Sequence, residues 1–297
     1  MRIATSPINW NNEDVPDYRP WIPYPEILEE IRRAGYRATE WSKSLPDDPR
    51  RLERDLEARG LRVVGAFVGL DLREPERHPE ELGRALEKAR FLKALGARHL
   101  VVADAGDPAR RRAAGHVGPE HALPEAAFRA MVEGLHRLGA ALSELGMELA
   151  FHNHVGTYVE TGEEIDALLA ATDPERVGWC LDTGHLVYGG GDLLGLLEKY
   201  RDRVAYLHLK DVDPEVLASA RRAGWSFEEA LRRYVFAPLG EGRVPLKEAL
   251  SMLLEAGYEG WAVIEQDTTP TDPTETARKN RERLEAMLKE LGYAEAF

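Results

Sequence analysis

The 297-residue chain is poorest in cysteine: Cys180 is the only one, so no disulfide forms within the chain. A single thiol fits a reducing compartment. Cys180 sits in the apolar run Val177-Gly178-Trp179-Cys180-Leu181 and reads as a buried core residue. Long apolar runs are also missing. No stretch approaches the roughly 18 residues that a membrane helix needs. The start, Met1-Arg2-Ile3-Ala4-Thr5, shows neither an apolar leader nor a cleavage pattern, so a cytoplasmic protein without signal peptide is expected. Positive charge is scarce as well. There are 39 Lys and Arg against 52 Asp and Glu, a formal net charge of -13. Nucleic-acid affinity is driven largely by Lys and Arg, so a nucleic-acid partner is not expected. The one basic run, Arg110-Arg111-Arg112, reads as a solvated loop.

What is present is a repeated alternation. Short runs rich in Val, Ile, Leu, Phe or Trp predict eight strands: Ile3–Thr5, Arg37–Trp41, Leu61–Val68, His99–Ala103, Glu148–His152, Val177–Asp182, Val204–Leu209 and Trp261–Glu265. Helix-period segments lie between them: Pro25–Ala34, Pro49–Arg59, Pro79–Leu95, Pro124–Leu145, Glu163–Ala171, Leu193–Tyr200, Pro245–Ala256 and Thr274–Leu291. Several open on proline and stop before glycine, the start and stop asymmetry of helices. Eight strand–helix units predict an α/β fold of one domain, residues 1–297, closed as a (β/α)8 barrel. Two stretches break the rhythm: a long loop at 104–121 and an inserted, partly helical segment at about 213–236. Both follow strands, on the barrel face that carries active sites.

The last four strands all end in polar residues. They read His152-Asn153-His154, Asp182-Thr183-Gly184-His185, His208-Leu209-Lys210-Asp211 and Glu265-Gln266-Asp267. One residue from each end gives His152, Asp182, His208 and Glu265. Two imidazoles and two carboxylates neutralise a divalent ion and leave positions for substrate oxygens. The mixed nitrogen and oxygen set suits Mn, Co or Zn better than Ca. Singly, each residue has a structural reading: a bonded strand-end histidine, a turn-forming Asp, a helix-capping Glu. The coincidence on four successive strands favours the metal.

Four more residues stand near this set. His185 could bind metal, orient a ligand or donate a proton. His154 alternates with His152 and would face the pocket mouth. Lys210 could stabilise an enolate oxygen or form a structural ion pair. Glu40, at the end of strand two, could be an acid or base, or belong to a barrel-mouth salt bridge. The segment Asn9-Trp10-Asn11-Asn12 offers amides and an indole that suit a polyol, or is an ordinary loop.

At these residues the chain resembles the xylose-isomerase-like TIM barrels, and among them the inosose dehydratases. The resemblance is carried by Ser6 to Pro16, Gly35-Tyr36-Arg37-Ala38-Thr39-Glu40, His152-Asn153-His154-Val155-Gly156-Thr157, Asp182-Thr183-Gly184-His185, His208-Leu209-Lys210-Asp211-Val212, and Gly257-Tyr258-Glu259-Gly260-Trp261 leading to Glu265. The Asp-Thr-Gly-His and His-Leu-Lys-Asp pieces are common across these barrels. The His-Asn-His piece is more specific, since many relatives carry Glu where His152 stands. The chain departs from the family pattern in three places. Asn153 interrupts three consecutive histidines. Ile264 precedes Glu265 where a Glu-Ala-Glu-Gln-Asp run is usual. Pro238-Leu239-Gly240-Glu241-Gly242 replaces a Pro-Gly-Asp-Gly turn. The resemblance implies metal-dependent removal of water from a cyclic keto-polyol, with Mn or Co as the ion and a small polyol or keto-sugar as partner; a homo-oligomer is compatible with it. It implies His152, Asp182, His208 and Glu265 as ligands, and Glu40, His154, His185 and Lys210 for acid–base and enolate roles. Three other readings stand beside it: a sugar isomerase or epimerase through the same enediolate, a metal nuclease, and a sugar-binding protein without turnover. The nuclease would need histidines on strands two and three, which here end in Glu40-Trp41 and Phe67-Val68.

Overall fold

The computed structural model describes residues 1–293. Eight parallel strands close a barrel: β1 (Arg2–Thr5), β2 (Ala38–Trp41), β3 (Arg62–Leu70), β4 (His99–Asp104), β5 (Glu148–His152), β6 (Gly178–Asp182), β7 (Val204–Leu209) and β8 (Trp261–Ile264). Neighbours in the ring follow chain order, and β8 pairs with β1 through Arg2–Trp261 to Thr5–Ile264. Among the described residues no helix is long and apolar enough to cross a membrane.

The outer ring is α1 (Tyr24–Arg33), α2 (Pro49–Glu57), α3 (His78–Ala94), α4 (Glu125–Glu144), α5 (Gly162–Ala171), α6 (Leu193–Tyr200), α7 (Leu246–Glu255) and α8 (Pro273–Glu290). Local chemistry starts these helices. Asp48 accepts from the N–H groups of Arg50 and Arg51 at the head of α2, and Thr161 and Glu164 form a capping box at α5. Apolar spacing then turns one face inward. In α1 the residues Ile27, Leu28 and Ile31 are wholly buried. Each such side chain contributes roughly 1.5–3 kcal/mol relative to exposure. A charge placed at Leu28 would undo the docking of α1.

Inside the barrel the strands contribute unequal volumes. Ala4, Ala38, Val64, Val101, Ala150 and Cys180 are small, and Tyr206 and Trp261 fill the space they leave. Cys180 is buried there, a core residue. This plug forms the floor beneath the strand ends.

The breaks in rhythm are ordered. The 104–121 loop contains a helix, Pro108–Ala113, and the 213–236 segment contains two, Pro214–Ala223 and Phe227–Arg232. Arg110 corrects the reading of its basic run as a solvated loop. It is completely buried and makes a paired contact with Glu164, at 2.7 and 2.8 Å, which ties the loop to α5. A two-residue antiparallel ladder, Asp211–Val212 with Phe236–Ala237, fastens the insertion. Asp211 accepts the N–H groups of Gly240, Gly242 and Val244 at 2.8, 2.9 and 2.9 Å. A Cβ at Gly242 would strike the Asp211 carboxylate, so the turn needs glycine there.

Candidate metal and acid–base site

Strand register brings the predicted donors to one level. Asp182 lies beside His208, and His208 beside Val263, two residues before Glu265. His152 Nε2 is 3.1 Å from His208 Nδ1 and 3.4 Å from Asp182 Oδ2. His208 Nδ1 is 3.3 Å from Glu265 Oε2 and 3.8 Å from Asp182 Oδ2. All four side chains are buried. An ion with bonds near 2.1 Å separates adjacent ligand atoms by roughly 3.0–3.5 Å; the pairs at 3.1, 3.3 and 3.4 Å match that spacing, and the pair at 3.8 Å is wider.

The other ring nitrogen of His208 supports this side of the ring. Nε2 donates to Glu40 Oε1 at 2.9 Å, because a carboxylate only accepts. That leaves the Nδ1 lone pair for a cation. Glu40 therefore acts on His208, in the manner of a carboxylate that orients a metal-binding imidazole. Two triads of potential ligand atoms each lie within 4.8 Å: Glu40, His208, Glu265 and His152, Cys180, His208. One imidazole cannot turn both nitrogens to one ion, and the Nδ1 side has three partners. Burial pushes the Cys180 thiol well up, which disfavours the thiolate that binds metal.

The electrostatics favour positive charge. Lys210 Nζ is 3.0 Å from Asp182 Oδ2 and also contacts Glu265 Oε2. Burial works against its charge, yet Asp182, Asp267 and Glu265 hold its pKa well above the usual lysine range. Likewise burial opposes the His208 charge, while Glu265 and Glu40 lift it to about 10. A field that favours protons in this way also favours a divalent cation.

His154 and His185 lie beside the donors, ring centroids 3.9 Å apart. The helix Thr183–Tyr188 starts at once after β6 and sets His185. Asp182 caps it, accepting the His185 N–H at 2.7 Å. A Cβ at Gly184 would meet the Lys210 side chain, so glycine lets this helix sit over β7. The backbone at Val155 reads out the two tautomers. His154 Nδ1 donates to the Val155 carbonyl at 2.7 Å, and the Val155 N–H donates to His185 Nδ1 at 3.2 Å. Neutral His154 thus carries a lone pair on Nε2, and neutral His185 carries a proton there. Burial and then His152 lower the His154 pKa to about 3, and burial and then His154 push His185 well below the usual range.

Asn153 points the other way. Its amide donates to the Asp182 carbonyl at 3.1 Å and accepts from the Asp182 N–H and the Trp179 indole at 3.2 and 3.1 Å. The departure from three histidines thus falls on a residue that braces β6.

The donors open into a cavity of about 630 Å³. Phe67 presents a half-exposed ring to it, edge-on to His152 at 5.6 Å. Sequence reasoning missed Phe67, although its place on β3 two residues past the barrel interior was readable. It also missed Asp267. Asn9, Trp10, Asn11 and Asn12 do not serve a polyol. All four are buried and bonded within the protein, Asn9 to Ile264 O and the Gln266 N–H, Trp10 to Thr274, Asn11 to Ile22 and Asn12 to Asp267 O.

The model of the xylose isomerase-like TIM barrel family matches residues 28–287. An inosose dehydratase of Geobacillus kaustophilus (strain HTA426) is 34% identical over 302 residues, covering 98% of this chain and 96% of that one. The rhizopine catabolism protein MocC of Rhizobium meliloti is 35% identical, covering 100% of this chain and 93% of its own. A crystal structure of the IOLI protein with a bound zinc atom superposes with a TM-score of 0.73 at 15% identity, covering 98% and 99% of the two chains, a likeness of fold.

Proposed function

We propose a function from one premise: this chain belongs to the xylose isomerase-like TIM barrel family, in its inosose dehydratase branch. It is a lyase that removes water from 2-keto-myo-inositol to give a trihydroxycyclohexane-dione, in inositol catabolism. The observation that carries the chemistry is the pairing of a cation-binding donor set with two neutral histidines of opposite tautomer.

His152, Asp182, His208 and Glu265 hold the divalent ion, and Mn or Co suits their mixed nitrogen and oxygen donors. When bound, that ion supplies Lewis-acid polarisation of the ketone, which acidifies the neighbouring C–H. Glu40 keeps His208 in the tautomer that turns Nδ1 to the cation. Lys210, fixed by carboxylates, stabilises the negative charge that grows on the ketone oxygen. His154 Nε2 has the lone pair to take the α-proton and, as the imidazolium so formed, the proton to pass to the departing β-hydroxyl, while the His185 Nε2–H donates a hydrogen bond to that oxygen. One C–H and one C–O bond break, water leaves, and the enol ketonises to the dione. A cytoplasmic setting fits the lone buried thiol of Cys180.

The direct test is metal-stripped protein reloaded with Mn or Co, mixed with 2-keto-myo-inositol, and followed by the ultraviolet absorbance of the enolised dione. Metal-dependent growth is expected. Bound metal with no signal would sink the dehydratase reading and turn attention to ketose epimerisation. Histidine roles separate by isotope exchange. In deuterated water His185→Gln should still exchange the α-hydrogen without losing hydroxide, and His154→Gln should do neither. Equal exchange by both variants would reverse or abolish this assignment.

A further inference from the structure

The end of β8 carries a strained turn that the function above does not use. Thr268 N–H donates to Gln266 O at 2.7 Å, and Asp267 between them has a φ of 62°. This is a three-residue turn with a left-handed centre, an unfavourable conformation for a residue with a Cβ. The surroundings enforce it. Asn9 Oδ1 accepts the Gln266 N–H at 2.9 Å, Asn12 Nδ2 donates to Asp267 O at 3.2 Å, and Asn280 Nδ2 donates to Gln266 Oε1 at 2.8 Å. Thr268 Oγ1 donates to Leu231 O at 2.6 Å. Strain fixed from several sides persists where it sets a geometry that function needs.

That geometry aims a carboxyl into the cavity. Asp267 is 3% exposed and lines the pocket. No hydrogen bond from the described residues reaches its Oδ1, and the nearest ammonium, of Lys210, is 3.5 Å away. A buried polar atom without a partner is uncommon in folded proteins and points to a partner supplied from outside. The side chains that hold the turn, Asn9, Asn12, Asn280 and Thr268, spend their polar groups on holding it, which leaves the Asp267 carboxyl oxygen as an open acceptor facing the cavity.

We propose that Asp267 is a substrate-binding residue: it accepts a hydrogen bond from a hydroxyl of the cyclic polyol, next to the oxygen that meets Lys210. The inference rests on the keto-cyclitol reading above and names the residue that selects for a hydroxyl on that substrate. The unpartnered Oδ1 there favours a hydroxyl over an ether or a second ketone, which have no proton to offer it.

The test uses metal-loaded wild type, Asp267→Asn and Asp267→Gly. Four quantities are measured: affinity for the unreactive cyclitol myo-inositol by calorimetry, KM and kcat for the ketone, metal content, and melting temperature. Asn keeps the shape and tolerates the left-handed backbone; Gly relaxes it. Both variants should keep the wild-type metal content, bind the cyclitol at least tenfold more weakly and show a KM raised at least tenfold. Asp267→Gly should melt at or above the wild-type temperature. Cyclitol affinity within twofold of wild type in both variants overturns the proposal. So does Asp267→Gly melting several degrees lower, since the side chain would then be a structural prop. Wild type that binds the cyclitol without dehydrating the ketone refutes the dehydratase reading and leaves the Asp267 comparison decisive. Wild type that binds no cyclitol overturns both.

Discussion

Glu40→Gln isolates the one contact that sets how His208 meets a cation. Glu40 Oε1 and His208 Nε2 are 2.9 Å apart, and both side chains are almost fully buried. The amide keeps the volume and still offers an oxygen to the Nε2–H, but it removes the negative charge that makes the ring a stronger donor. Loss of such an orienting carboxylate typically weakens metal binding about 10–100-fold, or about 1.4–2.7 kcal/mol. Glu40→Ala should do worse, because it strands a buried N–H and adds about 1–3 kcal/mol of lost stability. The assay is competition for Co or Zn between metal-stripped protein and a chromophoric chelator, with kcat measured at saturating metal. Metal affinity weakened by 10–100-fold, with kcat largely restored by excess metal, is the expected result. Affinity within twofold of wild type together with a hundredfold lower kcat would refute it, and would return Glu40 to direct work on the substrate.

Further outcomes follow from neighbouring contacts. Lys210→Met should keep the metal and lose about two to three orders of magnitude in kcat, since it removes the fixed charge at the developing oxyanion; unchanged single-turnover rates would contradict this. Asp211→Ala should cost on the order of 1–3 kcal/mol in urea unfolding, because the buried Val244 N–H and the partly exposed Gly240 and Gly242 N–H groups lose their acceptor, and no measurable loss would show the insertion holds without it. Glu160 joins the loops at Gly115 and Gly156, and burial, partly offset by those two N–H groups, raises its pKa to about 7. Because the folded pKa exceeds the unfolded one, its contribution to stability is full below about pH 4.5. It declines as pH rises through 7, by on the order of 3 kcal/mol. Glu160→Gln should flatten the stability–pH curve over that range, and an unaltered slope would exclude this origin.

The barrel and the four polar strand ends that meet at its mouth were legible because each depends on a local pattern: an apolar run, then a polar residue where the strand stops. Helix ends moved by a residue or two, as at Pro124, which caps α4 from outside. What stayed hidden depends on closure. Glu40 meets His208 across 168 residues, and no spacing rule connects the ends of strands two and seven. Asp182-Thr183-Gly184-His185 reads as a turn, yet Asp182 caps a six-residue helix that only the packing of Gly184 on Lys210 permits. The asparagines after β1 had the right chemistry for a polyol but spend it on the β8 turn, and Arg110 hides in a run that looks exposed. Asp267 was visible as a letter; its left-handed backbone was not.

The closure of β8 against β1 also sets a timetable. The donors emerge in the order 152, 182, 208, 265, and the strand that presents the last is held on one side by residues 2–5, made first. A nascent chain halfway through synthesis therefore has Glu40 but neither the floor, which needs Tyr206 and Trp261, nor the four strand ends. Pairings this distant in sequence form slowly, so the four strand ends come together only when the ring shuts, and the site is a late product of folding.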